Sequence, residues 1–108
     1  SYLSSMGLDC YEIECGRGVR IAAATYEKLP ALASGNNITV TLHAPYFISL
    51  SSVEAEKRDN SVNYIAESLR AADKLGATKV VVHSGSCARL RERRRCILRS
   101  RRLQRRWL

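Results

Sequence analysis

Three short apolar segments, separated by two longer helical patterns, constrain the fold of this 108-residue chain more than any other feature. Residues 11–15 alternate between polar and apolar side chains, residues 38–43 are rich in β-branched side chains, and residues 79–83 contain three consecutive valines. These patterns predict three β-strands. The valine segment also predicts burial on both faces of its strand, as in a parallel sheet.

The first helix is predicted within residues 22–34, which are rich in alanine and leucine. Gly35 follows this segment, and glycine commonly ends helices. Pro30 lies within it and predicts either a kink or a later helix start. The expected buried face consists of Tyr26, Leu29, Leu32 and Ala33.

The second helix is predicted to begin at Ser51 or Ser52, because a serine hydroxyl can accept a hydrogen bond from the first helical turn. Glu54 and Glu56 follow, where the helix dipole favours carboxylates. Gly76 ends the helix. Apolar residues at spacings of three and four predict its buried face, namely Val62, Ile65, Leu69 and Ala72.

The order strand, helix, strand, helix, strand predicts a βαβαβ unit of parallel strands within residues 1–86, and hence an α/β fold. Such units occur in doubly wound sheets and in (β/α)₈ barrels. A complete barrel needs about 250 residues. The chain is therefore long enough for less than half of a barrel.

Residues 87–108 form an arginine-rich tail with a different composition. Residues 1–86 carry 8 Lys and Arg against 9 Asp and Glu, whereas the tail carries 10 Arg and one Glu, so the net charge of +8 arises in the tail. Three explanations are open: an irregular or helical arm that binds nucleic acid, a basic helix on a membrane or partner surface, and a disordered or out-of-frame segment. The abrupt change favours the last.

The cysteines and the hydropathy pattern bear on the compartment. No apolar run is long enough for a membrane span, and no secretory signal is visible. The cysteines form no Cys-x-x-Cys pair, so we expect reduced thiols in a cytoplasmic protein without a membrane partner. These cysteines are Cys10, Cys15, Cys87 and Cys96.

Two histidines stand at the predicted carboxyl ends of neighbouring strands. His43 closes the second strand and His83 closes the third. In α/β folds ligands bind outside these strand ends, and side chains there would lie about 5–10 Å apart, given a strand spacing of ~4.8 Å. The pair is therefore a candidate metal site, although strand-end histidines also serve as hydrogen-bonded structural residues.

Three segments resemble endonuclease IV, a family of apurinic/apyrimidinic (AP) endonucleases. They are residues 7–21, residues 42–50 (LHAPYFISL) and residues 72–85, which end in KVVVHSG. The resemblance covers residues 1–86 in order. It implies a partial TIM barrel, a cluster of zinc ions, and hydrolysis of the phosphodiester bond 5′ to abasic sites in double-stranded DNA during base excision repair.

The resemblance also implies roles for individual residues. His43 and His83 correspond to zinc ligands of the family, although Ser84 replaces the proline that usually follows the second histidine. Tyr46 and Phe47 match the side chains that enter the DNA minor groove at the lesion. Arg17 or Arg20 matches a DNA-contacting arginine of the preceding loop. No further catalytic residue is assigned beyond the metal ligands.

The remaining zinc ligands of the family come from later strands, so we expect this chain to be a truncated and inactive piece of the enzyme. Glu12 or Glu14 could approach the metal from the first strand. We also expect self-association, because open barrel edges leave strands unpaired. The alternatives are a sugar-phosphate isomerase/epimerase-like barrel fragment and a non-enzymatic arginine-rich nucleic-acid-binding protein.

Overall fold

The structure, a computed structural model, describes residues 2–85. The arginine-rich tail, with Cys87 and Cys96, lies outside the described residues. Among residues 2–85 no helix combines the length and apolar character needed to cross a bilayer. In chain order the elements are α1 (Tyr2–Ser5), β1 (Cys10–Glu14), α2 (Ala23–Gly35), β2 (Thr39–His43), α3 (Ala55–Lys74) and β3 (Lys79–Val81).

The three strands form one parallel sheet in the order β1-β2-β3. Glu14 pairs with His43, and His43 pairs with Val81. The predicted α/β architecture, a βαβαβ unit of parallel strands, is therefore confirmed. One boundary differs from the prediction. The third strand ends at Val81, so His83 lies in the segment after the strand and not at its last position.

The hydrophobic core lies between the sheet and its helices. Along β2, Val40 and Leu42 are buried, whereas Thr41 and His43 on the opposite face are half-buried. Leu42 and Leu75 are fully enclosed. This period-two alternation is what a strand produces when one face is covered.

The second face of the sheet is open in the described part of the chain. Val81 is 41% exposed, so the predicted burial of the valine strand on both faces is wrong here. Glu12 and Thr41 also lie on this face, where the Thr41 hydroxyl donates a hydrogen bond to the Glu12 carboxylate over 3.4 Å. In a closed barrel this face would line the interior.

Helix α2 continues through Pro30. The proline ring fixes a helical φ angle, but its nitrogen has no proton to donate to the carbonyl four residues earlier. The predicted buried face is partly wrong, because Leu32 is 54% exposed while Ala33 is buried. Tyr26 and Leu29 pack against the core as expected.

Helix α3 begins later than predicted. Glu54 occupies the N-cap position and no side chain caps the first turn, so the predicted caps Ser51 and Ser52 are wrong. The Ser52 hydroxyl instead accepts a hydrogen bond from the backbone N–H of Glu54 over 3.2 Å. This local turn precedes the helix without capping its first turn.

The buried face of α3 matches the predicted one only in part. Val62 and Leu69 are exposed, whereas Ala72 is buried as expected together with other small residues. The buried residues are Ser61, Ser68, Ala71 and Ala72. Burial of Ser61 and Ser68 costs little, because each hydroxyl donates to the carbonyl four residues earlier.

The two described cysteines are free thiols in different environments. Cys10 is exposed and Cys15 is buried. Desolvation by burial raises the pKa of the Cys15 thiol above its usual value, so less of the reactive thiolate is present near neutral pH.

We expect Cys15 to react with iodoacetamide at pH 8 at least about tenfold more slowly than Cys10, because burial blocks access and disfavours the thiolate. Peptide mass spectrometry over a time course measures both rates in one sample. Equal rates in the native protein would contradict the burial of Cys15. Equal rates in denaturant are the control.

Candidate metal centre

The two histidines predicted as a metal site meet at the carboxyl edge of the sheet. Their Nε2 atoms lie 3.1 Å apart. The ring centroids are 4.9 Å apart and the rings are tilted by 47°. The two Nε2 atoms therefore face each other, at a distance that a hydrogen bond between the imidazoles also spans.

Backbone hydrogen bonds between neighbouring strand ends bring the rings together. The N–H of Cys15 donates to the carbonyl of His43, and the N–H of Ala44 donates to the carbonyl of Val81, each over 2.9 Å. The N–H of Leu50 donates to the carbonyl of Ser84 over 2.9 Å. The parallel ladder thus extends beyond the strands and fixes the segments that carry the histidines.

The tautomer of His43 follows from its second nitrogen. Nδ1 lies 3.0 Å from the carbonyl oxygen of Ala44. A carbonyl can only accept, so Nδ1 carries the proton and Nε2 presents its lone pair toward His83. A backbone carbonyl in this role is typical of metal-binding histidines, whose other nitrogen donates a hydrogen bond.

The spacing of the two Nε2 atoms suits a shared metal ion. With zinc–nitrogen bonds of about 2.0–2.1 Å and tetrahedral angles, two ligand nitrogens are separated by about 3.4 Å. The observed 3.1 Å is close to that distance. In residues 2–85 no group of three or more His, Cys, Asp or Glu side chains could hold a metal ion.

The two glutamates of β1 do not complete this site. Glu12 is engaged by the Thr41 hydroxyl. The Glu14 carboxylate lies beside Gly16, where an added Cβ would be 3.4 Å from Oε1. The same point is 3.8 Å from the Tyr46 ring. The loop after β1 therefore approaches the loop after β2 at Gly16.

The predicted DNA-binding aromatics lie next to the histidines but in different environments. Tyr46 is 67% exposed, whereas Phe47 is 43% exposed and packs edge-to-face on Tyr64 of α3. An open cleft of about 430 Å³ lies along this surface. It is lined by Tyr46, Phe47, Ile48, Ser49, His83 and Gly85.

Arg17 and Arg20 are both exposed after β1. Arg17 lies directly after Gly16, at the turn that approaches Tyr46. Arg20 lies three positions further along. Arg17 is therefore the arginine adjacent to the residue that approaches Tyr46, and the role of either arginine stays a prediction.

Gly85 is a close-approach residue that the sequence did not single out. Its φ angle is +122°, and an added Cβ would lie 2.5 Å from the Ser51 hydroxyl and 3.2 Å from the Ser49 hydroxyl. The Ser51 hydroxyl is buried and has no hydrogen-bond partner among residues 2–85. The segment after His83 is therefore packed directly on the loop after β2.

Substituting Gly85→Ala should lower the free energy of unfolding by about 1–3 kcal/mol, because it adds backbone strain and a steric clash. Gly18→Ala is the matched control, since Gly18 has φ +106° but open space around its Cβ position. Urea denaturation measures both. If the two variants lose equal stability, the contact with Ser51 and Ser49 contributes nothing.

The parallel sheet and its helical connections define an α/β protein. Comparison with protein families agrees with this assignment. The family described as "Xylose isomerase-like TIM barrel" matches residues 1–106, and the chain belongs to that family.

Individual relatives are named as endonucleases. The chain is 36% identical over 59 residues to "Probable endonuclease 4" of Mycoplasmoides gallisepticum, and the aligned region covers 55% of this chain and 19% of the relative. It is 37% identical over 67 residues to "Probable endonuclease 4" of Streptomyces avermitilis, and this aligned region covers 62% of this chain and 22% of the relative. The chain thus matches about a fifth of the length of these curated relatives.

Solved structures with a similar fold include an endonuclease IV. Endonuclease IV from Thermus thermophilus superposes with a TM-score of 0.65 at 28% identity, over 94% of this chain and 39% of that structure. SacUVDE superposes with a TM-score of 0.62 at 16% identity, over 94% of this chain and 40% of that structure. The second match shows the fold alone. The predicted resemblance to the endonuclease IV barrel is confirmed.

Proposed function

We propose that this chain is a segment of a zinc-dependent AP endonuclease that supplies two metal ligands and a DNA-contacting loop. The reaction of the whole enzyme would be hydrolysis of the phosphodiester bond 5′ to abasic sites in double-stranded DNA, in base excision repair. The convergence of the His43 and His83 Nε2 atoms within 3.1 Å carries the proposal. The similarity to proteins named endonuclease 4 supports it.

Zinc bound in such a site lowers the pKa of bound water and stabilises charge on phosphate oxygens. The chain's own residues hold and orient the ligands. The Ala44 carbonyl fixes the tautomer of His43. The hydrogen bond from Leu50 to Ser84 holds the segment after His83 against the loop after β2.

Tyr46 is the side chain best presented to a DNA duplex. It is 67% exposed beside the histidines. An aromatic ring inserted in the minor groove unstacks neighbouring bases, which is least costly where a base is already missing. The exposed ring therefore favours a lesion-binding nuclease over a sugar-phosphate isomerase, which has no need for a protruding aromatic side chain.

The described residues supply two protein ligands, whereas catalytic zinc sites have about three. We therefore expect this chain to bind zinc and abasic DNA without cleaving it. A nicking assay on an abasic duplex with and without a chelator tests this expectation. Chelator-sensitive cleavage by the purified chain would contradict it.

Lesion recognition is tested by fluorescence anisotropy with two duplexes that differ only by one abasic site. The arginine-rich tail contributes equally to both, so the ratio of the two dissociation constants isolates recognition of the lesion. We expect a ratio of about tenfold or more, given ~1–3 kcal/mol per stacked base. The control Tyr46→Phe should preserve the ratio and Tyr46→Ala should abolish it. A wild-type ratio of one would contradict the proposed function.

A further inference from the structure

We propose that Ser61 and Tyr64 of α3 are positioning residues that hold the loop of residues 46–49 so that Tyr46 projects outward. This inference rests on the proposed function for the use of Tyr46, but the ordering of the loop is a property of the chain itself. Neither residue is a metal ligand. Both lie on the helix, three positions apart and therefore on one face.

The first contact is between aromatic rings. The centroids of Phe47 and Tyr64 are 4.9 Å apart and the ring planes are inclined by 82°. This is the edge-to-face arrangement that aromatic pairs prefer. Phe47 also contacts the Tyr46 ring, with centroids 6.0 Å apart and planes inclined by 71°. Phe47 thus contacts both Tyr64 of the helix and Tyr46.

The second contact fixes the backbone of the same loop. The Ser61 hydroxyl accepts a hydrogen bond from the N–H of Ser49 over 2.9 Å and donates to the carbonyl of Lys57 over 2.6 Å. Ser61 is buried, with 3% of its surface exposed. The hydroxyl therefore uses both its donor and an acceptor site, and no water competes for the bond.

These contacts give the two adjacent aromatics different roles. Phe47 is held by Tyr64 and would have to leave that ring to enter DNA. Tyr46 could enter DNA without such a rearrangement, since its side chain is already exposed. The helix itself is anchored to the core through Ala71, Ala72 and Leu75. Ser61 and Tyr64 therefore attach the loop beside the histidines to a helix that is itself fixed to the core.

The experiment uses fluorine NMR on the full chain labelled with para-fluorophenylalanine. The chain contains one phenylalanine, so the spectrum reports Phe47 alone. Tyr64→Leu should shift and sharpen the resonance, because the ring current of Tyr64 and the packing are both removed. Tyr64→Phe keeps the ring and should leave the Phe47 resonance in place, beside a second fluorine resonance from the phenylalanine that this variant introduces. Leu69→Ala on the same helix is the control, since Leu69 is exposed.

The same variants are then measured for the ratio of affinities for abasic and intact duplexes. We expect Tyr64→Leu and Ser61→Ala to reduce the ratio at least about threefold, while Tyr64→Phe and Leu69→Ala retain it. Circular dichroism confirms that each variant keeps its helices. Ser61→Ala tests the loop without altering any aromatic ring.

An unchanged Phe47 resonance in Tyr64→Leu would overturn the proposal, whatever the DNA result. A shifted resonance with an unchanged affinity ratio would overturn it as well, because the ordered loop would then not serve recognition. If the wild-type chain shows no preference for the lesion, the proposed function and the use of Tyr46 fail together. The fluorine spectrum still decides separately whether Tyr64 orders the loop.

Discussion

Replacing His43 by alanine is expected to lower the affinity of the chain for Zn²⁺ by at least about 100-fold. Loss of a partner that merely orients a ligand already costs about 10–100-fold, and His43 provides a ligand atom itself. The remaining imidazole of His83 would face no second nitrogen, since the chain contains 2 histidines in total. Competition with a chromophoric chelator measures the dissociation constant.

The control for His43→Ala is Thr41→Ala. Thr41 lies two positions earlier on β2, on the same open face of the sheet, and contacts Glu12 instead of the histidines. The Thr41→Ala variant should bind Zn²⁺ with wild-type affinity. Retention of wild-type affinity by His43→Ala, with helix content preserved, would show that the metal is bound elsewhere.

Replacing Leu42 by alanine is expected to have the largest effect on stability. Its side chain has no exposed surface and lies in the core with Cys15 and Leu75. Removal of a buried leucine side chain costs about 2–5 kcal/mol, because apolar contacts are lost and a cavity remains. Small domains are stable by about 5–15 kcal/mol, and a sheet with one open face is expected near the lower limit. The variant should therefore keep about 3 kcal/mol of stability or less, so that a measurable fraction is unfolded at 37 °C.

The stability of Leu42→Ala is measured by urea denaturation alongside Leu69→Ala. Leu69 is 53% exposed on α3, so its truncation should change the free energy of unfolding by about 0.5 kcal/mol or less. The two variants remove the same atoms from different environments. Equal midpoints would contradict the position of the core between the sheet and the helices.

The elements of this fold follow from the sequence because their signals are local. Period-two alternation, β-branched residues and helix-ending glycines are properties of short segments, and they predict the strand and helix order that the structure shows. Parallel pairing then follows from the length of the connections. The convergence of His43 and His83 was predictable for the same reason, since neighbouring strand ends share one edge of the sheet.

The helix faces were harder to predict because they depend on what each helix packs against. Val62 and Leu69 have the apolar spacing expected of a buried face, yet they are exposed while Ser61 and Ser68 are buried. A buried serine gives no hydropathy signal, since its hydroxyl is satisfied within its own helix. The burial of small residues depends on close helix–sheet packing, which is a tertiary property.

The supporting contacts of the site were not predictable from the sequence. Nothing in the sequence distinguishes Tyr64 from other helical residues or Gly85 from other glycines in turns. Their roles arise from contacts across the fold, with Phe47 and with Ser51. The interpretation of the arginine-rich tail remains a sequence prediction, as does self-association through open barrel edges.

In the proposed metal site, His43 and His83 bind one metal ion through their Nε2 atoms. A long-range proton–nitrogen correlation spectrum tests it directly, because the chain contains 2 histidines and the spectrum therefore shows two imidazoles. On titration with Zn²⁺ both Nε2 signals should move together and saturate at one equivalent per chain, while Nδ1 of His43 stays protonated. Movement of one imidazole alone, or of neither, would contradict a shared metal site.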